Sequence, residues 1–175
     1  MSNCKLKNVI LYLCSVAEEL GMGLVQMLKT ILYADVVSLL DRSASISEAK
    51  YMKAPRGPVP DGWEDVLKEL AAEGKITVKR QEVNYGTTEF HFHADPASIV
   101  LSDEEMAILK SMAKAICDKY SGSLISELTH NDVWRTTEMG EEIPIAAYFP
   151  QEKLTPPPEL VERTINKLRG LGYVQ

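Results

Sequence analysis

The chain has 175 residues and a formal net charge of −6, from 19 basic and 25 acidic side chains, and 45% of its residues are hydrophobic. No stretch approaches the roughly 20 consecutive apolar residues of a membrane span, and the composition is too apolar for a disordered chain. An acidic chain also lacks the positive charge that binds phosphate backbones. We therefore expect one folded cytoplasmic domain with no membrane partner.

The three cysteines, Cys4, Cys14 and Cys117, are odd in number and widely spaced, which is typical of reduced thiols rather than a disulfide framework. Lys5 and Lys7 precede a short apolar run and give a poor match to a signal peptide. The same residues have the i, i+3, i+4 spacing of an amphipathic helix, which is the interpretation we prefer.

Hydrophobic spacing predicts a first helix over residues 5–20 and, after two glycines, a second helix over residues 24–40. The second segment is apolar almost all round, so it should be central and buried. Its polar exceptions therefore stand out: Lys29, Tyr33 and Asp35.

The next segment contains a candidate short strand at residues 49–53, followed by three prolines and a glycine within residues 54–60. Such a composition predicts a rigid extended turn. Asp61 and Glu64 fit a capping box for a third helix that runs to Glu73. The apolar face of that helix would consist of Trp63, Val66, Leu67 and Leu70.

Alternating residues predict a strand over 76–80, a turn at 84–86 and a return strand over 88–93. A capping box, Ser102 with Glu105, begins a fourth helix that ends near Lys119. Further elements are a short helix over 124–129, a weakly structured acidic stretch over 138–147 and, after a proline run, a last helix over 159–169.

These elements predict a helix-dominated α+β fold, with about six to seven helices and one small antiparallel sheet. We expect residues 1–150 to form the main domain. Residues 151–175 would be a proline-rich joint and C-terminal helix packed on the same domain.

The order of three helices and a hairpin in the N-terminal half resembles a winged helix, in which the third helix can read DNA. Here the acids of that helix and its cap outnumber the basic side chains by five to one. Like-charge repulsion thus argues against nucleic-acid binding by this face. The acids are Asp61, Glu64, Asp65, Glu69 and Glu73, and the base is Lys68.

Chemical motifs are weak. His91 and His93 would share one strand face, but a zinc site needs a third ligand, and His130 is the remaining histidine. A solvated strand face is the better interpretation. No nucleophile, zinc or phosphate-loop motif occurs. Asp35, Asp61, Glu64 and His130 could act as acids or bases in principle, but we expect structural roles, and predict no enzyme, metal or cofactor.

His130 and Trp134 lie in a polar and aromatic cluster after the short predicted helix. In one interpretation Trp134 packs in a structured corner and His130 bonds the backbone. In the other, the pair is an anchor for a partner protein, because tryptophan with polar neighbours is common at binding hot spots.

Four segments together resemble one known family. Residues 29–35 are similar to its KLLYxAD helix, Tyr51 with residues 56–60 to its Y…xGPVP segment, and residues 124–134 to its LSELTH…W segment. Residues 140–144 match its GEEIP sequence. The order and spacing also agree, so the chain resembles the Panacea, or SocA-like, antitoxin domain over about residues 5–150. Thr30 departs from the leucine usual in that family.

The resemblance implies a non-enzymatic antitoxin that binds a cognate toxin protein and occludes its active surface. The alternatives are an adaptor or phage accessory protein of the same fold, a winged-helix transcriptional regulator, or a hydrolase or metal protein. The predicted partner-binding residues are Tyr51, Arg56, Gly57, Pro58, Val59, Pro60, His130 and Trp134. The predicted structural or family-motif residues are Lys29, Tyr33, Asp35 and Trp63, with Tyr33 and Asp35 able to tie the second helix to the proline loop.

Overall fold

A computed structural model of the protein describes residues 4–81 and 87–150. The helices in these ranges are α1 (Cys4–Leu20), α2 (Leu24–Arg42), α3 (Trp63–Ala72), α4 (Asp103–Lys119), α5 (Gly122–Leu128) and α6 (Asp132–Thr136). The strands are β1 (Tyr51–Ala54), β2 (Gly57–Pro60), β3 (Ile76–Gln81) and β4 (Thr87–Phe92), and two short 3-10 turns cover Pro96–Ser98 and Ile145–Tyr148. The predicted turn at 84–86, the proline-rich joint and the helix at 159–169 lie outside the described residues.

The predicted helix-dominated α+β fold is confirmed. The capping box of α4 is also confirmed, since the Ser102 hydroxyl accepts from the Glu105 amide and the Glu105 carboxylate accepts from the Ser102 amide. Helix α5 begins two residues earlier than predicted and is capped by Ser121.

The predicted capping box of α3 is wrong. Gly62, with φ of +77°, occupies the N-cap position, and no side chain caps the helix. Asp61 instead belongs to the preceding loop, where its amide donates to the Lys50 carbonyl oxygen.

Helix α2 lies at the centre of the molecule and packs against α4, α5, β2 and the turn at Ile145–Tyr148. Helix α1 packs on its other side against α3, α4 and β4. Each large aliphatic side chain buried here contributes about 1.5–3 kcal/mol relative to exposure. The fully buried aliphatic residues include Leu6, Ile10, Leu13, Ile31, Leu32 and Leu109.

The proline-rich segment forms a second hairpin, rather than only the predicted turn. Strands β1 and β2 pair in antiparallel register from Tyr51 opposite Pro60 to Ala54 opposite Gly57. Strand β2 is an edge strand, where prolines are tolerated because no ladder donor is needed on that side. The other edge of β1 bonds to the acidic stretch, since the Lys53 amide donates to Glu141 and the Ile143 amide donates to Tyr51.

Strands β3 and β4 form the predicted hairpin after α3, with Ile76 opposite Phe92. The two hairpins are separate two-stranded sheets. Helix α3 buries Val66, Leu67 and Leu70 and leaves its acids near the surface, where the Lys7 ammonium bonds both Glu69 and Glu73 at 2.6 Å. Within the described ranges, no helix combines the length and apolar character required to cross a bilayer.

Candidate functional site

The hairpin of β1 and β2 is attached to α2 at its open end by Asp35. The Asp35 carboxylate, 1% exposed, accepts from the amides of Ile46 and Ser47 at 2.9 Å, from the Ser47 hydroxyl, and from the Tyr51 hydroxyl at 2.7 Å. Burial, and then the charge of Asp35, raise the pKa of Tyr51 well above its usual value. The phenol therefore remains a donor to Asp35 at any physiological pH.

The turn end of the same hairpin is attached to α2 by Lys29. This side chain is 1% exposed, and its Nζ donates to the Pro58 carbonyl oxygen at 2.7 Å. An ammonium has three donors, but no second acceptor and no carboxylate contacts Lys29 among the described residues. Burial lowers the pKa of Lys29 from 10.5 to about 7.

Gly57 is required where the hairpin meets Lys29 and α5. Its φ is +90°, and a β-carbon at this position would lie 2.0 Å from the Thr129 hydroxyl oxygen and 2.8 Å from Lys29 Nζ. The Thr129 hydroxyl donates to the Ser126 carbonyl oxygen at 2.7 Å, which fixes its position. The close approach of three elements therefore depends on glycine.

His130 and Trp134 stack with their ring centroids 3.7 Å apart and their planes 9° from parallel. The Trp134 indole donates to the Ala54 carbonyl oxygen at 3.2 Å, and Lys53 Nζ lies 4.5 Å from the indole centroid. His130 Nε2 is buried without a partner among the described residues. Burial, and then the charge of Lys29, lower the pKa of His130. Trp134 thus clamps the end of β1 while remaining half-buried.

A groove of about 510 Å³ lies between α2, the turn of the first hairpin and the start of α3. Its lining includes the side chains of Lys29, Arg56, Val59, Trp63 and Glu64, together with apolar residues from the first turns of α2. Arg56 is exposed at the turn. All five of these residues were selected from the sequence, under three different predicted roles, and the structure brings them to one place.

The predicted partner-binding residues separate into two groups. Tyr51 is 2% exposed, and Gly57, Pro58 and Pro60 are buried. Their burial favours a structural role for these four residues, and contact with a partner stays a prediction for them. The accessible remainder consists of Arg56, which is exposed, and the half-buried Val59, His130 and Trp134.

The predicted attachment of α2 to the proline loop also needs a correction. Asp35 does bind the start of the hairpin, but Lys29, rather than Tyr33, reaches the proline turn. Tyr33 is half-buried, and burial, followed by the neighbouring Tyr120, raises its pKa. Tyr33 therefore lies toward the end of α4.

No group of three or more histidine, cysteine or acidic side chains within the described ranges could hold a metal ion. His93 Nε2 pairs with the Thr77 hydroxyl at 2.8 Å, and His91 lies 3.8 Å from the Glu18 carboxylate. These contacts place both histidines in the surface of the second hairpin.

Sequence reasoning missed Thr129 and the groove. Thr129 is fully buried, and position 57 must be glycine because a β-carbon there would overlap the Thr129 hydroxyl. No local pattern signals that contact, since the two residues are brought together only by the packing of α5 against α2. The groove is likewise made by α2, the hairpin and α3 together.

Comparison with known protein families gives a match to the family described as antitoxin SocA-like, Panacea domain, over residues 27–135. The matched segment runs from within α2 to within α6 and contains Lys29, Asp35, the first hairpin and the stacked pair of rings. It also contains the residues lining the groove except Leu24 and Val25. Comparison with curated proteins gives no match, and comparison with solved structures gives none. Because the family match covers more than half of the chain, the protein belongs to the antitoxin SocA-like, Panacea domain family.

Proposed function

We propose that this protein is an antitoxin that neutralises a cognate toxin by direct protein–protein binding and without catalysis. The observation that carries the proposal is the match to an antitoxin domain across α2 to α6. The proposed contact surface is the turn of the first hairpin with the neighbouring corner, formed by Arg56, Val59, His130 and Trp134.

The physical support is the rigidity of that surface. The turn is fixed from below by the Lys29–Pro58 bond and from the side by the bond between Trp134 and Ala54. A surface that is already ordered loses little conformational entropy on binding, so more of the contact energy appears as affinity. Arginine and tryptophan are also the residues that most often contribute large binding energies at interfaces.

The acidic character of the chain supports a protein partner with basic surface. The net charge is −6, and the exposed acids of α3 and of the first turn of α4 belong to it. Complementary charge speeds association and disfavours wrong partners. A cytoplasmic location is part of the same proposal, since that is where a free toxin would act.

Co-expression with the product of the adjacent gene tests the proposal. We expect that the neighbour alone inhibits growth of a bacterial host, and that co-expression of this chain restores growth and yields a complex on affinity purification. A neighbour that is not toxic, or a toxic neighbour that neither binds the chain nor is relieved by it, would contradict the proposal.

A further inference from the structure

The groove beside the first hairpin combines an apolar wall with one exposed arginine, Arg56. Leu24, Val25 and Leu28 of α2 line one side, and Val59 and Trp63 line the other. The volume of about 510 Å³ lies within the range of roughly 300–1,000 Å³ that is typical of ligand-binding pockets. The groove can therefore hold several side chains of a bound segment.

The cation that this groove presents to solvent is Arg56, since Lys29, which also lines it, is 1% exposed and has a pKa that burial lowers to about 7. Arg56 is exposed at the turn and forms no ion pair in this part of the chain, while Lys29 bonds only the Pro58 carbonyl there. Glu64 also lines the groove and forms no ion pair within the described ranges. On a chain with a net charge of −6, the groove thus offers a partner one exposed guanidinium, that of Arg56, which no carboxylate of the described residues pairs with.

We propose, resting on the proposed antitoxin function, that this groove binds a toxin segment in which an apolar side chain lies beside an aspartate or glutamate. The apolar side chain packs between Val25 and Trp63, and the carboxylate pairs with Arg56. Charge complementarity selects this occupant, because a guanidinium without a partner recognises a carboxylate through paired, charge-assisted hydrogen bonds.

The shape of the hairpin supports the same occupant. Arg56 is presented from a two-residue turn whose flanking strands are held to α2 and α6. An arginine on such a support keeps its position when the partner leaves, so its pairing contributes more than a contact from a mobile loop would. A toxin that is basic overall can still carry one acidic anchor of this kind.

The experiment uses the full chain and the product of the adjacent gene, with affinity measured by calorimetry. The variants are Arg56→Glu, which reverses the charge at the groove, and Val25→Gln, which makes its apolar wall polar. Lys110→Glu is the matched control, since Lys110 is an exposed cation on α4 whose reversal changes the net charge equally. Circular dichroism verifies that each variant is folded.

We expect Arg56→Glu to weaken toxin binding by about 30-fold or more, because loss of a buried charge pair at an interface has an effect of this size. Val25→Gln should weaken it by about 5-fold or more, while Lys110→Glu stays within about 3-fold of the unmodified protein, as an exposed rim charge should. Replacement of the anchor carboxylate of the toxin by arginine should restore part of the binding to Arg56→Glu.

The outcomes separate the two proposals. If the unmodified chain binds the toxin and the folded Arg56→Glu and Lys110→Glu variants bind it equally well, the groove assignment is overturned and the antitoxin function stands. If the unmodified chain does not bind the toxin, the antitoxin function fails, and the groove assignment fails with it.

Discussion

Helix α2 carries two buried ionisable side chains, Asp35 and Lys29, which differ in how completely they are hydrogen-bonded. Asp35 receives hydrogen bonds from two amides and two hydroxyls, whereas Lys29 reaches a single carbonyl oxygen among the residues that the structure describes. A buried ionisable group is stable only when its charge is well paired or when it is neutralised, a carboxylate by gaining a proton and an ammonium by losing one. The comparison identifies the Asp35 end of the hairpin as the structural attachment and the Lys29 end as the part with unused bonding capacity.

The largest expected effect comes from removal of the Asp35 carboxylate, which accepts four hydrogen bonds. Asp35→Ala would leave the Ser47 and Tyr51 hydroxyls and two amides without their buried acceptor, and each unsatisfied group costs about 1–3 kcal/mol. We expect the free energy of unfolding to fall by about 4 kcal/mol or more, as measured by urea denaturation. Asp35→Asn keeps an acceptor in place and should lose clearly less; equal losses would show that the carboxylate does not organise these donors.

Gly57→Ala tests the close approach at the other end of the hairpin. A β-carbon there meets the Thr129 hydroxyl at 2.0 Å, on a backbone with φ of +90°. Overpacking together with left-handed strain should reduce the free energy of unfolding by about 3 kcal/mol, again measured in urea.

Gly62→Ala is the matched control for that prediction. Its φ is +77°, but nothing lies within 4 Å of the added β-carbon. Only the backbone strain remains, so we expect a loss of about 1 kcal/mol. Adding Thr129→Ala to Gly57→Ala should recover part of the stability that Gly57→Ala loses. If no stability is recovered, contact with the Thr129 hydroxyl is not the cause of that loss.

Lys29→Met tests the role of the buried Lys29 amine through the dependence of protein stability on pH. The folded protein holds Lys29 with a pKa of about 7 against an ordinary 10.5. Between these two values the unfolded chain binds more protons than the folded protein, so the stability of the unmodified protein rises with pH. Lys29→Met lacks this dependence and should be more stable by about 2 kcal/mol at pH 7, since an apolar residue replaces a poorly paired buried charge.

The advantage of Lys29→Met should shrink as pH rises from 7 toward 10.5, with a slope of at most about 1.4 kcal/mol per pH unit. Burial also raises the pKa of Cys14 to about 12, which opposes this trend above pH 9, but both proteins contain Cys14. The difference between the two denaturation curves therefore isolates Lys29. A difference that does not change with pH would mean that Lys29 keeps an ordinary pKa.

The sequence predicted the helices well because their signals are local. The apolar periodicity of α1, the all-round apolar character of α2 and the capping box at Ser102 each arise within one element. The α3 cap failed because the competing bond, from the Asp61 amide to Lys50, comes from the hairpin and is invisible in the local pattern.

The candidate site was predictable only as a set of unusual residues. Lys29 and Asp35 are unusual in a buried helix, which indicates that each has a specific polar partner. In the structure both bind the first hairpin. Their partners, Pro58 and Tyr51, belong to a hairpin that the sequence alone did not predict. Proline is rare in strands, yet Pro58 and Pro60 both lie in β2. The direction of each side chain, inward for Tyr51 and outward for Arg56, required the packed structure.

The smallest effect separates a structural from a partner-facing role for Tyr51. Tyr51→Phe removes one donor to Asp35 and leaves the three from Ile46 and Ser47 in place. We expect a loss of about 1 kcal/mol in the free energy of unfolding, the typical contribution of one hydrogen bond, and no change in affinity for the proposed toxin partner. In Asp35→Ala the same substitution should cost less, because the bond is already absent. A Tyr51→Phe protein that is as stable as the unmodified protein but binds the proposed toxin more weakly would contradict this prediction. It would show that Tyr51, at the Asp35 end of the hairpin, contacts the partner.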